Sequence, residues 1–294
     1  MSRTRPELVA WARDTIAKGS KSFRFASRLF DHTTRERAWL LYAWCRHCDD
    51  VADGQELGHG ARRVTDAQAS LSHLRVQSSR ALAGEETGEP PFDALGLVAA
   101  ECAIPDQFVH DHLEGFALDA REWRPRTEED LITYCYHVAG VVGSMMAAIM
   151  GVDPEDADTM RHARDLGIAF QLANISRDIV EDAAVGRCYV PEEWLTELDL
   201  PPGELMRPFY RERLAVISKR LCKMAEEYEA SGRIGARKLP FRARWAVLSA
   251  AGIYGDIARE VAARGPRAWD SRVVIGKPTK LKWVAKALAQ ASRR

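Results

Sequence analysis

Apolar residues along this chain recur at three- and four-residue steps, the spacing of one helix face, and runs with the two-residue period of a strand are scarce. A first helix is expected over residues 6–18. A second starts where Thr33 or Thr34 can cap it, with Glu36 and Arg37 leading into AWLLYAWCRHCDDVAD. A polar stretch over 61–83 reads as a third, and GEETGEPP over 84–91 is a loop by composition. Pro105 restarts the chain. Thr127, followed by Glu128, Glu129 and Asp130, opens a helix with its acids set against the positive end of the dipole. Residues 156–182 form one long helix, Gly186 and Pro191 bracket the loop after it, and further helices are expected near 204–230, 241–264 and 279–291. The pattern predicts an all-α fold, one bundle around a central cavity with residues 1–294 as a single domain.

Two acidic clusters lie in segments that read as helix. Asp49, Asp50 and Asp53 lie in YAWCRHCDDVAD, and Asp178 and Asp182 lie in QLANISRDIVED. Residues four apart share a helix face, so each cluster presents two carboxylates in one direction. Carboxylates facing a common space repel unless cations neutralise them, and Mg2+ takes oxygen ligands while leaving positions for phosphate oxygens. Gln171 and Asn174 fall on the same face as Asp178 and Asp182, a polar line poorly suited to a core stripe.

Composition narrows the classes. The chain has 294 residues, 46% of them hydrophobic, with 42 basic and 42 acidic side chains. That length and apolar content can bury a sizeable core. Zero net charge argues against a general nucleic-acid binder. The N-terminus MSRTRPELVAWAR is charged throughout, unlike a secretory signal. The six cysteines are therefore expected to be reduced, in a cytoplasmic setting. Cys45 and Cys48 read as small core residues, because no second Cys-x-x-Cys exists to complete a zinc site. The most apolar run, residues 138–152, is short for a membrane span. Its Gly140, Gly143, Ala147 and Ala148 suit the close approach of a neighbouring helix or of a ligand.

Four separated segments resemble the squalene and phytoene synthase family, most closely its bacterial phytoene synthases. They are GSKSF at 19–23, the first aspartate cluster at 42–53, YCYHVAGVVGSMMAAI at 134–149 and LGIAFQLANISRDIVEDAAVGRCYVP at 166–191. One departure is Ala52, where a larger apolar residue is common. The resemblance implies the isoprenoid synthase fold and a head-to-head coupling of two molecules of geranylgeranyl diphosphate through prephytoene diphosphate to phytoene, in carotenoid biosynthesis. It implies Mg2+, with Mn2+ as an alternative ion, held by Asp49, Asp53, Asn174, Asp178 and Asp182. It places Ser20, Lys21, Ser22, Gln171, Arg46, Arg177, Arg272 and Lys280 near diphosphate or the acidic clusters. Tyr42, Tyr134 and Tyr254 would line the reaction centre, and Phe23, Val138, Ala139, Val142 and Gly143 the prenyl tunnel. No nicotinamide motif occurs, so no NADPH is expected. The alternatives are another product of the same family, squalene or dehydrosqualene, and a non-catalytic helical assembly protein.

The C-terminal segment adds a partner. Residues 271–294 hold no acid, while Arg272, Lys277, Lys280, Lys282, Lys286, Arg293 and Arg294 are basic. Leu281, Val284 and Leu288 share a face beside Trp283. Such a helix either packs on the bundle or rests on an anionic membrane, and peripheral contact with a membrane and with neighbouring carotenoid enzymes is the expectation.

Overall fold

The computed structural model describes residues 3–53, 66–201 and 203–293, without the side chains of residues 21–23 and 53. Thirteen α-helices and no strand occur among the described residues. In chain order they are α1 (Arg5–Gly19), α2 (Lys21–Ser27), α3 (His32–Asp53), α4 (Ala67–Leu82), α5 (Pro90–Cys102), α6 (Asp106–Ala120), α7 (Glu128–Cys135), α8 (Val141–Ile149), α9 (Ala157–Ala184), α10 (Glu192–Glu197), α11 (Arg211–Gly235), α12 (Phe241–Arg264) and α13 (Lys277–Ala291).

Local chemistry sets many of the boundaries. Thr127 and Asp130 form a reciprocal capping box at the start of α7. Asp156 caps α9 by accepting from the Thr159 amide at 3.1 Å. At α3 the expected cap shifts: Asp31, not Thr33 or Thr34, accepts from the Thr34 amide at 3.0 Å. The start of the third helix moves as well. Asp66 caps α4 through the Ala69 amide at 2.8 Å, and residues 61–65 of the expected helix lie outside the described residues. Pro90, assigned to a loop, instead opens α5, where its fixed φ and missing donor suit the first turn.

The long helix α9 runs through the middle, packing along α11, α12 and α8. On one side Trp44, Phe92, Leu95, Leu113 and Met145 build a core between α3, α5, α6 and α8. On the other, Leu172, Ile175, Leu214, Ile217 and Leu221 join α9 to α11. Glycines let α8 and α9 meet at backbone distance. A Cβ on Gly143 would lie 2.3 Å from the Ala163 carbonyl oxygen, and one on Gly167 2.2 Å from that of Ala139. The small residues of the apolar run thus serve a neighbouring helix.

Between α7 and α8 the backbone widens into a single π-helical turn, Tyr136–Gly140, so 128–149 is one continuous helix of 22 residues. By length and hydropathy that helix could cross a membrane. The apolar run is its second part, and half of the most apolar window is buried inside the protein.

Candidate active site

Along α8 and α9 the bundle leaves a cavity of about 350 Å3. The π turn and α8 supply Val138, Ala139, Val142, Gly143 and Met146 to its wall. The extra residue in that turn rotates Val138 and Ala139 relative to the helix that follows, and such turns recur at functional sites. α2 and the turn after it contribute Phe25, Ala26 and Phe30. Tyr254 of α12, stacked on Phe170 with ring centroids 4.3 Å apart, closes another side. Polar groups are sparse: Asp49 from α3, Lys280 from α13, and His112, Thr159 and His162.

The first acidic cluster meets the cavity at Asp49. Arg46, one turn earlier, approaches Asp49 at 3.7 Å and Asp50 at 3.9 Å, and lies 6.0 Å from the Tyr42 ring centroid. Burial alone would lower the Arg46 pKa, but Asp49, Tyr42 and Asp50 together outweigh it and the pKa is raised. Burial raises the Tyr42 phenol pKa, with Arg46 acting against it. The Asp53 carboxylate lies outside the described side chains.

The second cluster, at the C-terminal end of α9, is clamped by guanidinium groups. Asp178 accepts from Arg177 Nε at 2.7 Å and from Arg272 Nε and Nη2 at 3.0 and 2.9 Å. Burial pushes the Asp178 carboxyl up, but hydrogen bonds from Arg177 and Arg272 hold it below the usual range. Asp182, one turn on, has the opposite balance. Burial first, then the negative charge of Asp178, push its carboxyl up to about 7. The Arg177 charge also acts on the buried Tyr254 phenol, which links this cluster to the cavity wall. Gln171 and Asn174 are half-buried on the same helix.

A third acid, missed in the sequence, completes the neighbourhood. Asp119 of α6 accepts from the Tyr134 hydroxyl at 3.1 Å and from the Tyr189 hydroxyl at 3.0 Å. Tyr134 stacks between Tyr189 (4.6 Å) and Trp123 (5.8 Å). Burial raises the Tyr134 phenol far above its ordinary value, Asp119 adding to it, and the Asp119 charge also reaches Asp182. The signal available was a lone acid in the otherwise apolar GFALDA, meaningful only once Tyr134 and Tyr189 are folded against it. His112 and His162, also missed, line the cavity.

Ser20 caps the C-terminus of α1, its amide donating to the Ile16 carbonyl, and α2 starts at the next residue. A Cβ on Gly19 would sit 2.6 Å from the Tyr42 hydroxyl, so this segment adjoins the first cluster.

Among the described residues no three His, Cys, Asp or Glu side chains close into a ready-made metal shell. The donors fit another arrangement: all-oxygen carboxylates on separate helices, one of them, Asp182, short of compensating positive charge. A divalent ion there would draw its remaining oxygens from a bound diphosphate.

An all-α bundle with an apolar cavity that Asp49 and Lys280 line, and an Asp178 held by Arg177 and Arg272 on the long helix, suits an enzyme that takes an apolar substrate with an anionic head. The family comparison is specific: residues 16–279 match the squalene/phytoene synthase model, and the chain belongs to that family. It is 46% identical to a 15-cis-phytoene synthase from Pantoea ananas over 97% of this chain and 93% of that protein. It is 43% identical to a phytoene synthase from Pseudescherichia vulneris over 99% of this chain and 94% of that protein. A solved dehydrosqualene synthase superposes with a TM-score of 0.87 at 27% identity, covering 99% of this chain and 98% of the other.

Proposed function

We propose that this chain couples two molecules of geranylgeranyl diphosphate head to head, through prephytoene diphosphate, to phytoene, releasing two diphosphates. The observation that carries the reading is an apolar cavity with Asp49 and Lys280 in its wall, and a second aspartate, Asp178, clamped by Arg177 and Arg272 one turn before Asp182. The identities of 42–46% to phytoene synthases along nearly the whole chain support the same substrate and product.

Diphosphate leaves only when its developing charge is compensated. Mg2+ held by Asp49, Asp53, Asn174, Asp178 and Asp182 supplies that compensation, with Mn2+ as a substitute. The chain's own cations, Arg46, Arg177, Arg272 and Lys280, orient the diphosphate, guanidinium forks matching its paired oxygens. Ser20, Lys21, Ser22 and Gln171 contribute polar contacts. Val138, Ala139, Val142, Gly143 and Phe23 hold the prenyl chains and exclude water, which would quench a carbocation. Tyr254 lines the cavity beside the reacting carbons, and Tyr42 and Tyr134, which the cavity wall does not include, would border the diphosphate end. The final cation loses a proton, and no NADPH takes part. The test is incubation with geranylgeranyl diphosphate and Mg2+ without reductant. Phytoene is the expected product, and a hydrocarbon formed only in proportion to NADPH consumed overturns the reading.

The chain works as one cytoplasmic domain that rests reversibly on membranes. α13 packs a half-buried Trp283 against Gly252 of α12 and buries Ala287 and Ala291, and leaves Leu281 59% and Leu288 39% exposed beside Lys282. Neighbouring carotenoid enzymes would receive the lipophilic product there.

A further inference from the structure

A second concavity lies outside the cavity already described, on the outer side of α2. It measures about 260 Å3 and is lined by Arg13 of α1, Arg24 of α2, Arg28 of the following turn, and Arg35 and Trp39 of α3. Four guanidinium groups, charged at any physiological pH, share one small space with a single acid, Asp14. Asp14 is 68% exposed and reaches Arg13 only at 3.7 Å. Among the described residues Arg24, Arg28 and Arg35 pair with no carboxylate. Arg35 is half-buried with its guanidinium 5.5 Å from the Trp39 ring centroid, and its solvent-inaccessible Nε donates to nothing.

The pocket is built into the fold. The Trp39 indole donates to the Ser27 hydroxyl at 3.1 Å, which itself donates to the Arg24 carbonyl at 3.1 Å, tying α2 to α3. Arg242 of α12 donates to the Leu29 carbonyl at 2.9 Å and braces the turn after α2. Several arginines elsewhere in this protein meet acids: Arg5 meets Glu36 and Glu101, Arg259 meets Glu229 and Asp256, and Arg220 meets Glu197. Here four like charges converge on open space with Asp14 as the one acid in the lining.

We propose that this pocket binds a phosphate-bearing anion. Planar guanidinium forks grip phosphate oxygens in pairs, and several of them facing one space suit a polyanion better than a single carboxylate. The anion is a free diphosphate or an anionic lipid headgroup, which share this chemistry. Its place has a consequence for the cavity. The outward side chains of α2 and its turn, Arg24 and Arg28, face the pocket, while Phe25, Ala26 and Phe30 line the prenyl cavity. An anion held on the outer side would fix the segment that walls the inner one.

The experiment titrates the full chain in EDTA with sodium diphosphate by calorimetry, and in parallel with vesicles of phosphatidylcholine with or without phosphatidic acid. Arg24→Gln with Arg28→Gln is compared with the wild type, and Arg13→Gln with Arg28→Gln serves as a second variant should the first melt early. A charge-matched control carries Arg75→Gln and Arg264→Gln, both far from α2. The expected result is a loss of at least tenfold in affinity for one probe in a pocket variant, with the control near wild type. Loss for diphosphate alone assigns a free anion, and loss for the phosphatidic acid vesicles assigns a headgroup. Wild-type binding of both probes by the pocket variants, an equal loss in the control, or no binding by the wild type overturns the proposal.

Discussion

The Asp178 carboxylate is held by the Arg272 fork, Nε at 3.0 Å and Nη2 at 2.9 Å, across 94 residues of chain. Together with Arg177 this keeps Asp178 ionised, while its neighbour Asp182 sits near neutrality. A cation arriving with diphosphate would supply the positive charge that Asp182 lacks and would leave the arginines to meet phosphate oxygens.

Asp178→Asn should therefore lower kcat by about 10²-fold or more while circular dichroism shows the helices intact, because the loss falls on charge stabilisation in the transition state. EDTA should silence the wild type, and Mg2+ should restore it. Full turnover in EDTA contradicts this account of the acidic pairs.

Asp119 fixes two tyrosines. Asp119→Asn replaces the carboxylate that accepts from both Tyr134 and Tyr189. Misplacement of Tyr134 should cost on the order of 10² in kcat, with KM changed much less. A change confined to KM would assign Asp119 to substrate capture instead.

Much of this was legible in the sequence. The acidic residues of each pair fall at i and i+4 in segments that apolar spacing already marked as helix, and Thr127 announced α7 through its capping box. Gly143 was open between a neighbouring helix and a ligand. Its missing Cβ makes room for the Ala163 carbonyl of the neighbouring helix, and the residue also lines the cavity. The π turn at Tyr136–Gly140 was not legible, because one extra residue in a turn leaves the apolar pattern helical. Asp119 was hidden for another reason. Its partners lie 15 and 70 residues away, and sequence periodicity carries no information about contacts at that separation.

His112 makes stability depend on pH. It is 3% exposed, packs against Trp44 and Phe116, and its Nδ1 donates to the His137 carbonyl at 3.2 Å. Burial lowers its pKa from 6.5 to about 4. The folded state thus refuses a proton that the unfolded chain accepts, and stability is lost as pH falls from about 6.5 to about 4, by roughly 3 kcal/mol. Denaturant titrations at pH 7 and pH 5 should show a smaller difference for His112→Gln than for the wild type. Equal differences would place the acid sensitivity elsewhere.

Membrane attachment through α13 should depend on charge. Lys282→Glu with Lys286→Glu should weaken co-sedimentation with anionic vesicles, and salt should weaken that of the wild type, since surface charge is screened over about 8–10 Å. These positions spare Arg272 and Lys280. Equal binding of both proteins to anionic and neutral vesicles, at low and high salt, rules out the electrostatic contribution.

The central claim, that one cavity carries out both ionisations, is tested most directly by a single-turnover reaction with radiolabelled geranylgeranyl diphosphate and Mg2+, without any reductant. The expected result is transient prephytoene diphosphate followed by phytoene, with two diphosphates released for each hydrocarbon. Prephytoene diphosphate that accumulates and is never consumed, or hydrocarbon that forms only once NADPH is added, would contradict it.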